Sequence, residues 1–226
     1  MLMDILIVLA VALEAYLLGS VDTGILVSKL VYHDDVRNHG SGAAGMTNML
    51  RTFGKKAAAM TAAGDVCKGI LAVCIGRWLF SFSSGGSFSP YLGVYLAGIL
   101  AVVGHTKPIY FGFKGGKGVL VAGGAILAVQ PILFPCLFVL FLACLIPTGM
   151  VSLGSMVMAV SYPFLTLGYG LLTGLPARDL AVTTIGAAIM GAMVFYMHRA
   201  NLQRIREGKE YRFGRKGKQQ DNTPKQ

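Results

Sequence analysis

Long apolar runs separated by short polar segments dominate the chain. The most continuous runs lie at residues 5–18, 91–104, 119–146 and 180–197. A helix that crosses a bilayer needs about 20 mainly apolar residues, whereas a helix on the surface of a soluble domain is interrupted by polar residues every few positions. The pattern therefore predicts an all-α, polytopic bundle of membrane helices with lipid as its main solvent.

Lysines and arginines are concentrated in three of the polar segments. They lie in residues 29–56, in residues 107–117 and in the tail after His198, whereas residues 81–90 and 147–150 carry no charge. Because Lys and Arg are enriched on the cytoplasmic side of a membrane, the three cationic segments are predicted to be cytoplasmic and the two uncharged segments external. The N-terminus is then outside and the C-terminus is cytoplasmic.

About seven crossings satisfy this orientation. Apolar stretches are evident at residues 5–27, 57–80, 91–105, 119–146, 150–172 and 180–197. The termini lie on opposite sides only if the number of crossings is odd. We therefore expect the fourth stretch to be broken at Gln130-Pro131, since proline ends or kinks a helix. Each half is short for a bilayer, and a re-entrant segment in place of one crossing is the alternative.

Composition and charge narrow the classes of function. Charged residues make up 13% of the chain, about half the share of a soluble domain. The net charge of +10 is compatible with nucleic acid, but the cations lie between or after apolar runs and not along one soluble face. We expect a lipid bilayer as partner and no nucleic acid. Residues 1–214 are predicted to form one integral membrane domain, and residues 215–226 a polar, disordered cytoplasmic tail.

The cysteines give no sign of a metal site. Cys67, Cys74, Cys136 and Cys144 lie within apolar runs and lack CxxC or Cys/His spacing. We expect reduced thiols, no metal and no cofactor. The N-terminus lacks the cationic start of a secretory signal, so the first apolar run is expected to remain as an anchor.

The first segment suited to chemistry is the glycine-rich stretch 40–51. Its candidate residues are Gly40, Ser41, Gly42, Thr47, Asn48 and Arg51. Glycines let backbone amides turn towards an anion. Thr47 or Asn48 is placed to cap a following short helix, and Arg51 shares a helical face with Thr47. The stretch predicts a phosphate clamp, with a flexible turn as the alternative.

The second segment, residues 112–118, immediately precedes an apolar helix. It contains Lys114, Gly115, Gly116, Lys117 and Gly118. Free amides at a helix N-terminus attract phosphate, and the two lysines add positive charge. It is not a nucleotide P-loop, because Phe111 replaces the first glycine of GxxxxGK[ST] and Gly118 replaces the Ser or Thr that holds magnesium. A cytoplasmic loop with turn glycines is the alternative.

The third segment follows the last long apolar run. His198 and Asn201 are three residues apart and share a helical face, so that an imidazole and an amide can converge on one ligand. Arg204 and Glu210 follow closely in the chain. Binding of anionic lipid headgroups is the alternative for this basic region.

Three further polar residues lie inside apolar runs. Asp65 and Lys68 stand at i, i+3 in one run, where mutual pairing offsets the cost of burying charge. His105 lies near the cytoplasmic end of another run, either as a satisfied interfacial side chain or as a polar wall of the site. The predicted topology brings the anion-suited segments to one leaflet, which favours a phosphate-bearing substrate.

Short motifs in a fixed order run through nearly the whole chain. They are Gly19-Ser20 with Thr23-Gly24, His39-Gly40-Ser41-Gly42, Thr47-Asn48, Leu50-Arg51-Thr52, Gly54-Lys55-Lys56, Gly64-Asp65, Lys68-Gly69, Gly104-His105, residues 112–118, and His198-Arg199 with Asn201. Together they resemble the bacterial acyl-phosphate:glycerol-3-phosphate acyltransferases, the PlsY family. The resemblance is specific because several motifs occur in the right order.

The resemblance implies a seven-helix inner-membrane enzyme with a cytoplasmic active site. The family moves a fatty acyl group from acyl phosphate to the 1-hydroxyl of glycerol 3-phosphate, giving lysophosphatidic acid and inorganic phosphate, the first step of bacterial phospholipid synthesis. It requires neither acyl-CoA nor acyl-carrier protein. The residues agree on the donor, because none of the four histidines has an aspartate five residues later, as the HxxxxD dyad of thioester-dependent acyltransferases demands.

The resemblance also implies the residues of the site. Carried over by motif, the expected catalytic residues are Ser41, Arg51, His198, Asn201 and Glu210. The expected phosphate-binding residues are Gly40, Gly42, Thr47, Asn48, Lys114, Gly115, Gly116, Lys117 and Gly118, with Asp65, Lys68 and His105 as candidate supporting residues. The chain departs from the family's pattern at Ala43, where asparagine is usual, and at Asp22, where proline is usual. The first change affects the loop and the second affects how the first helix enters the membrane.

Two other classes of function are open to a chain of this kind. A phosphate or organophosphate transporter also needs cationic loops and intramembrane charges, but the chain shows no inverted repeat or paired broken helices. A membrane scaffold with a lipid-binding tail would make the glycine loops dispensable. Acyl transfer is the preferred interpretation.

Overall fold

The computed structural model of the protein describes residues 2–83 and 88–213, and its regular structure there is entirely helical. The α-helices are α1 (Leu2–Gly19), α2 (Thr23–Val31), α3 (Met46–Phe53), α4 (Lys55–Phe80), α5 (Tyr91–Thr106), α6 (Val119–Val129), α7 (Leu133–Thr148), α8 (Val151–Leu172), α9 (Ala177–Met197) and α10 (Arg199–Arg206). Two 3-10 helices, Val36–Asn38 and Ile109–Phe111, lie in the connections before α3 and α6. The all-α prediction is confirmed. The predicted tail at residues 215–226 lies outside the described residues.

Within the described ranges, five helical stretches are long and apolar enough to cross a membrane. They are Leu2–Val31, Lys55–Phe80, Tyr91–Phe111, Val151–Leu172 and Ala177–Met197, and the shorter apolar helices α6 and α7 lie between the third and the fourth. Large side chains such as Leu13, Phe164 and Leu172 point outward and are mostly exposed. A continuous apolar exterior of this kind is stable in lipid, so the protein is an integral membrane helix bundle.

The fourth apolar stretch is broken where the sequence predicts. α6 ends at Val129, α7 begins at Leu133, and Gln130 caps the first of the two. Gln130 is buried, and its Oε1 accepts hydrogen bonds from Tyr95 Oη at 3.0 Å and Thr166 Oγ1 at 3.3 Å. At 1.5 Å per residue the two helices are about 16 and 24 Å long against a hydrocarbon core of about 30 Å. The count of seven crossings and the orientation of the termini stay predictions.

The first apolar stretch is one candidate membrane span, Leu2–Val31, in agreement with the single crossing predicted over residues 5–27, but it consists of two helices. The structure has α1 up to Gly19 and α2 from Thr23, with a break between them. Asp22 is the N-cap of α2, and its Oδ1 accepts a hydrogen bond from the backbone N–H of Ile25 at 3.1 Å. An N-cap aspartate satisfies an N–H that the first turn leaves unpaired, so Asp22 starts a new helix inside an otherwise apolar stretch.

The helices around the site approach one another through glycines. A Cβ atom on Gly19 of α1 would overlap the main chain of Ala101 in α5, and one on Gly104 of α5 would overlap the carbonyl of Tyr16. Gly69 of α4 meets the carbonyl of Val121 in α6 in the same way. Small residues permit this close backbone contact in lipid, where helices have no hydrophobic driving force to associate. α1, α4, α5 and α6 therefore form a tightly packed unit that supports the loops at its end.

The three predicted motif segments meet at one end of the bundle. α5 and α9 end there, and α6 and α8 begin there. Beyond α10 the chain folds back onto α8, since the backbone N–H of Phe213 donates to the carbonyl oxygen of Gly149 at 2.7 Å. Residues 147–150 therefore lie at the same end of the bundle as the cationic segments, and the prediction that they lie on the opposite side of the membrane is wrong. The fold thus places the glycine-rich stretch, the loop before α6 and the C-terminal segment around a common space.

Candidate active site

A cavity of about 610 Å³ occupies this space and is lined by residues of every predicted segment. The predicted residues in its wall are Gly40, Ser41, Thr47, Asn48, Arg51, Asp65, His105, Lys117, Gly118, His198, Asn201 and Glu210. They are up to 170 positions apart in sequence, from Gly40 to Glu210. The fold therefore brings the three segments into one site.

The remaining predicted residues lie outside the wall of the cavity. Lys114 is exposed, and its carbonyl oxygen accepts a hydrogen bond from Arg37 at 3.2 Å. Gly115 and Gly116 pack behind the wall against His105, and Gly42 lies in an exposed turn with a φ of +71°. Lys68 is buried in a pair with Asp65, with Nζ 2.9 Å from Oδ1.

Arg37 ties the loop before α6 to the first cationic segment. Its guanidinium donates to both carboxylate oxygens of Asp35 and to the carbonyl oxygen of Phe111 at 2.8 Å. Hydrogen bonds from Arg37 lower the pKa of Asp35 to about 2. The ion pair therefore stays formed at neutral pH and fixes the backbone on which Lys114 sits.

The glycine-rich stretch is organised by Asn48. Helix α3 begins at Met46 with Gly45 as its N-cap and without a side-chain cap, so the prediction that Thr47 or Asn48 caps this helix is wrong. Asn48 instead reaches back into the loop, where its Oδ1 accepts from the N–H of Ser41 at 3.1 Å. Its Nδ2 lies 3.0 Å from three carbonyl oxygens, those of Val36, His39 and Ala43. The amide of Asn48 is thus used to shape the loop.

Arg51 is held at the cavity by two contacts. Its Nη2 donates to Asn48 Oδ1 at 3.0 Å, and its Cζ lies 5.6 Å from the centroid of the Tyr211 ring. A Cβ on Gly40 would overlap the Arg51 guanidinium, which explains a glycine at this place in the loop. Hydrogen bonding and the cation–π contact leave the other guanidinium N–H groups for an anion.

A chain of hydrogen bonds joins the loop before α6 to the C-terminal segment. Lys117 Nζ donates to Asn201 Oδ1 at 2.6 Å, and Asn201 Nδ2 donates to Glu210 Oε1 at 2.7 Å. Glu210 also accepts from Ser152 Oγ at 2.7 Å and from Arg204 Nε at 2.8 Å. Burial alone would raise the pKa of Glu210, but these hydrogen bonds outweigh it and hold the pKa below its usual range. Glu210 is therefore a carboxylate that orients Asn201 and, through it, Lys117.

The acid–base state of the cavity is set by burial. Desolvation lowers the pKa of Lys117 to about 8, and the nearby charges of Arg204 and Arg51 act in the same direction. Desolvation also lowers the pKa of His198 to about 4. His198 Nδ1 lies 2.7 Å from the carbonyl oxygen of Val194, so the neutral ring donates from Nδ1 and keeps Nε2 as an acceptor.

Two residues of the site carry no signal in the sequence. Ser152 lies in an apolar run at the start of α8, and Tyr211 lies in a polar tail. Only the folding of the C-terminal segment onto α8 shows that Ser152 bonds to Glu210 and that Tyr211 lies beneath Arg51. Contacts across such distances in sequence are set by tertiary structure alone.

The cavity also has an apolar side. Part of its wall is formed by the apolar side chains of Val119, Leu120, Phe141 and Val151. A helix N-terminus and cationic side chains favour a phosphate group, while apolar helices favour a hydrocarbon chain. The fold and the site thus define an integral membrane protein with a cavity that has cationic residues on one part of its wall and apolar residues on another.

Comparison with known proteins identifies the family. Residues 9–208 match the model of the family described as glycerol-3-phosphate acyltransferase. The glycerol-3-phosphate acyltransferase of Clostridioides difficile (strain 630) is 39% identical over 214 residues, which cover 95% of this chain and 99% of that protein. The chain belongs to the glycerol-3-phosphate acyltransferase family and is an acyltransferase.

Solved structures agree in fold over almost the full length. The crystal structure of PlsY, an integral membrane glycerol 3-phosphate acyltransferase in its glycerol 3-phosphate form, superposes with a TM-score of 0.77 at 34% identity, covering 92% of this chain and 96% of that one. Its lysophosphatidic acid form gives a TM-score of 0.75 at 32% identity, with 92% and 95% covered. The resemblance inferred from the motifs is confirmed.

Proposed function

We propose that the protein transfers a fatty acyl group from acyl phosphate to the 1-hydroxyl of glycerol 3-phosphate. The products are lysophosphatidic acid and inorganic phosphate. The observation that carries the proposal is the single cavity in which Arg51, Lys117, His198 and the Asn201–Glu210 pair meet beside an apolar wall. Related structures named for glycerol 3-phosphate and lysophosphatidic acid support the acceptor and the product.

Acyl phosphate is a mixed anhydride and is already activated towards attack. The acceptor hydroxyl forms a bond to the acyl carbon, the bond between that carbon and the phosphate oxygen breaks, and the electron pair leaves with phosphate. The protein then needs to position two phosphate-bearing substrates and to stabilise developing charge. Well-oriented reactants contribute on the order of 7 to 11 kcal/mol to lowering the barrier, and fixed cations such as Arg51 and Lys117 add electrostatic stabilisation.

The hydroxyl proton has two acceptors in this scheme. His198 is neutral at pH 7 because its pKa is about 4, and its Nε2 accepts a hydrogen bond from the acceptor hydroxyl. The leaving inorganic phosphate is the stronger base, since it is more basic than a phosphate monoester, whose second pKa of about 6 already exceeds the pKa of His198. We propose that His198 orients the hydroxyl and that the proton finishes on inorganic phosphate.

The other predicted residues take supporting roles in the same scheme. Ser41 and Thr47 contribute hydroxyl groups to the cavity wall, and Gly40 and Gly118 bring backbone close to the phosphates. Gly42, Lys114, Gly115 and Gly116 shape or flank these loops. We place this site on the cytoplasmic face of the inner membrane, since the cationic segments surround it, within a single domain at residues 1–214.

The donor decides between this reaction and other acyl transfers. Purified protein in lipid is given labelled glycerol 3-phosphate with palmitoyl phosphate, palmitoyl-CoA or palmitoyl acyl-carrier protein, and lysophosphatidic acid is measured. Product from palmitoyl phosphate alone supports the proposal, whereas product from a thioester alone contradicts it. The His198→Ala variant, purified in parallel, controls for a contaminating acyltransferase.

The same preparation tests the transport alternative. Uptake of labelled glycerol 3-phosphate into proteoliposomes without any acyl donor, and without lysophosphatidic acid formation, would favour a carrier. No uptake together with product from palmitoyl phosphate supports acyl transfer.

A further inference from the structure

His105 lies directly behind the loop that precedes α6. Its exposed fraction is 2%, yet it forms part of the cavity wall. The backbone N–H of Gly116 donates to the His105 carbonyl oxygen at 3.2 Å, and a Cβ on Gly116 would overlap His105 Nε2. The ring therefore meets the loop through Nε2, one residue before Lys117.

The contact with Lys68 determines which ring nitrogen of His105 carries the proton. Lys68 Nζ lies 2.9 Å from each of three atoms, namely the carbonyl oxygen of Val21, His105 Nδ1 and Asp65 Oδ1. The contacts with Val21 and His105 are hydrogen bonds. The contact with Asp65 is an ion pair, in which Asp65 Oδ1 accepts no hydrogen bond. An ammonium group can only donate, so His105 Nδ1 accepts. The neutral ring then carries its proton on Nε2.

Asp22 completes the cluster on the same edge of the ring. Its Oδ1 caps α2, while its Oδ2 lies 3.5 Å from His105 Nδ1, too far for a good hydrogen bond. Asp65 Oδ1 lies 3.7 Å from the same nitrogen. Both carboxylates thus lie at the Nδ1 edge and leave Nε2 facing the loop. Among the described residues none accepts a hydrogen bond from Nε2.

We propose that His105 is a substrate-binding residue whose Nε2–H donates a hydrogen bond to a phosphate oxygen held at the N-terminus of α6. His105 lines the cavity, and no described residue accepts a hydrogen bond from its Nε2–H, so a ligand in the cavity is the partner left for this donor. An anion there also meets the free first-turn amides of α6 and the ammonium group of Lys117. A phosphate group of either substrate fits this chemistry. The inference deepens the proposed function and rests on it.

Two variants of His105 separate the donor from the bulk of the ring. His105→Gln keeps an amide N–H near the position of Nε2, and His105→Leu keeps an apolar side chain without a donor. A hydrogen bond to a charged phosphate predicts that His105→Leu raises one KM about tenfold to hundredfold. His105→Gln is expected to raise it by about threefold or less.

A rise in KM for palmitoyl phosphate alone places the acyl-phosphate donor at His105, and a rise for glycerol 3-phosphate alone places the acceptor there. Equal losses in His105→Gln and His105→Leu would show that the ring serves packing only. An unchanged KM in His105→Leu, or a fall confined to kcat, overturns the proposal as well.

A second measurement uses the wild-type protein and needs no turnover. The chain has four histidines, so ¹⁵N-histidine labelling gives few ring signals, and His105→Gln identifies the one from His105. The expected ring is neutral with its proton on Nε2, and this proton signal shifts when inorganic phosphate is added at concentrations that occupy the site. A proton on Nδ1, or no response to phosphate, overturns the inference.

The two measurements keep the inference apart from the proposed function. A His105 signal that responds to phosphate in a protein that makes no lysophosphatidic acid would contradict only the reaction. An active enzyme with a silent His105 signal would contradict only the role of His105.

Discussion

Lys117 is expected to set the alkaline limit of activity. Its pKa is lowered to about 8 by burial, and in the proposed mechanism its charged form binds the substrates' phosphate groups. Because the folded pKa lies below the usual value, the ammonium is lost as pH rises through about 8. The charged fraction falls from about 90% at pH 7 to about 10% at pH 9, so kcat/KM is expected to fall about tenfold over this interval.

The matched variants are Lys117→Arg and Lys107→Arg. Arginine stays charged over the whole pH range of the assay, so Lys117→Arg is expected to remove the alkaline fall, whatever its effect on the absolute rate. Lys107 lies in the same connection, is exposed and does not line the cavity, so Lys107→Arg is expected to keep the fall. The second ionisation of a phosphate monoester is near pH 6 and affects the acid side only.

The assay measures phosphate release at substrate concentrations below KM, between about pH 7 and 9, which reports the free enzyme. Bound phosphate stabilises the ammonium, so the fall in kcat is expected at higher pH than the fall in kcat/KM. An alkaline fall at the same pH in Lys117→Arg would refute the role of Lys117. A flat wild-type profile over this range would refute it equally.

Three other changes probe the rest of the site. His198→Ala is expected to lower kcat about a hundredfold in the phosphate-release assay, because the acceptor for the substrate hydroxyl is lost; retention of most of the wild-type kcat excludes His198 as an essential group. Glu210→Gln removes the charge that three donors share, and we expect the KM for glycerol 3-phosphate or acyl phosphate to rise about tenfold; two unchanged KM values contradict this. Asn48→Ala removes the amide that bonds three loop carbonyls and the N–H of Ser41, and leaves the carbonyl of Ala43 without its side-chain donor. It is expected to destabilise the protein by about 2 kcal/mol, visible as a lower unfolding midpoint in detergent; an unchanged midpoint contradicts it.

The helix order and the break at Gln130 are predictable because they follow from local patterns. Long apolar runs produce membrane helices, and proline directly after a polar residue ends one of them. The meeting of the three motif segments was also predictable, since the distribution of Lys and Arg assigns them to one side. The order of apolar, polar and cationic residues along the chain is therefore sufficient to predict these features.

Other features depend on contacts that no local pattern reveals. In the sequence, Asp22 is a single polar residue in an apolar run. Its role as the N-cap that separates α2 from α1 depends on the turn that precedes it. Lys114 and Lys117 look equivalent in sequence, but the backbone turn at Gly112 and Phe113, both with positive φ, leaves only Lys117 in the cavity wall. Ser152 donates a hydrogen bond to Glu210 only because the C-terminal segment folds back onto α8.

The most direct test of the account is the stoichiometry of products made by the wild type and by Lys117→Met. Purified protein in lipid receives palmitoyl phosphate and glycerol 3-phosphate, and lysophosphatidic acid and inorganic phosphate are measured in the same samples. Equal amounts of both products are expected from the wild type, and Lys117→Met is expected to lose at least about a hundredfold in activity. Phosphate release without lysophosphatidic acid, or a Lys117→Met variant as active as the wild type, would contradict this expectation.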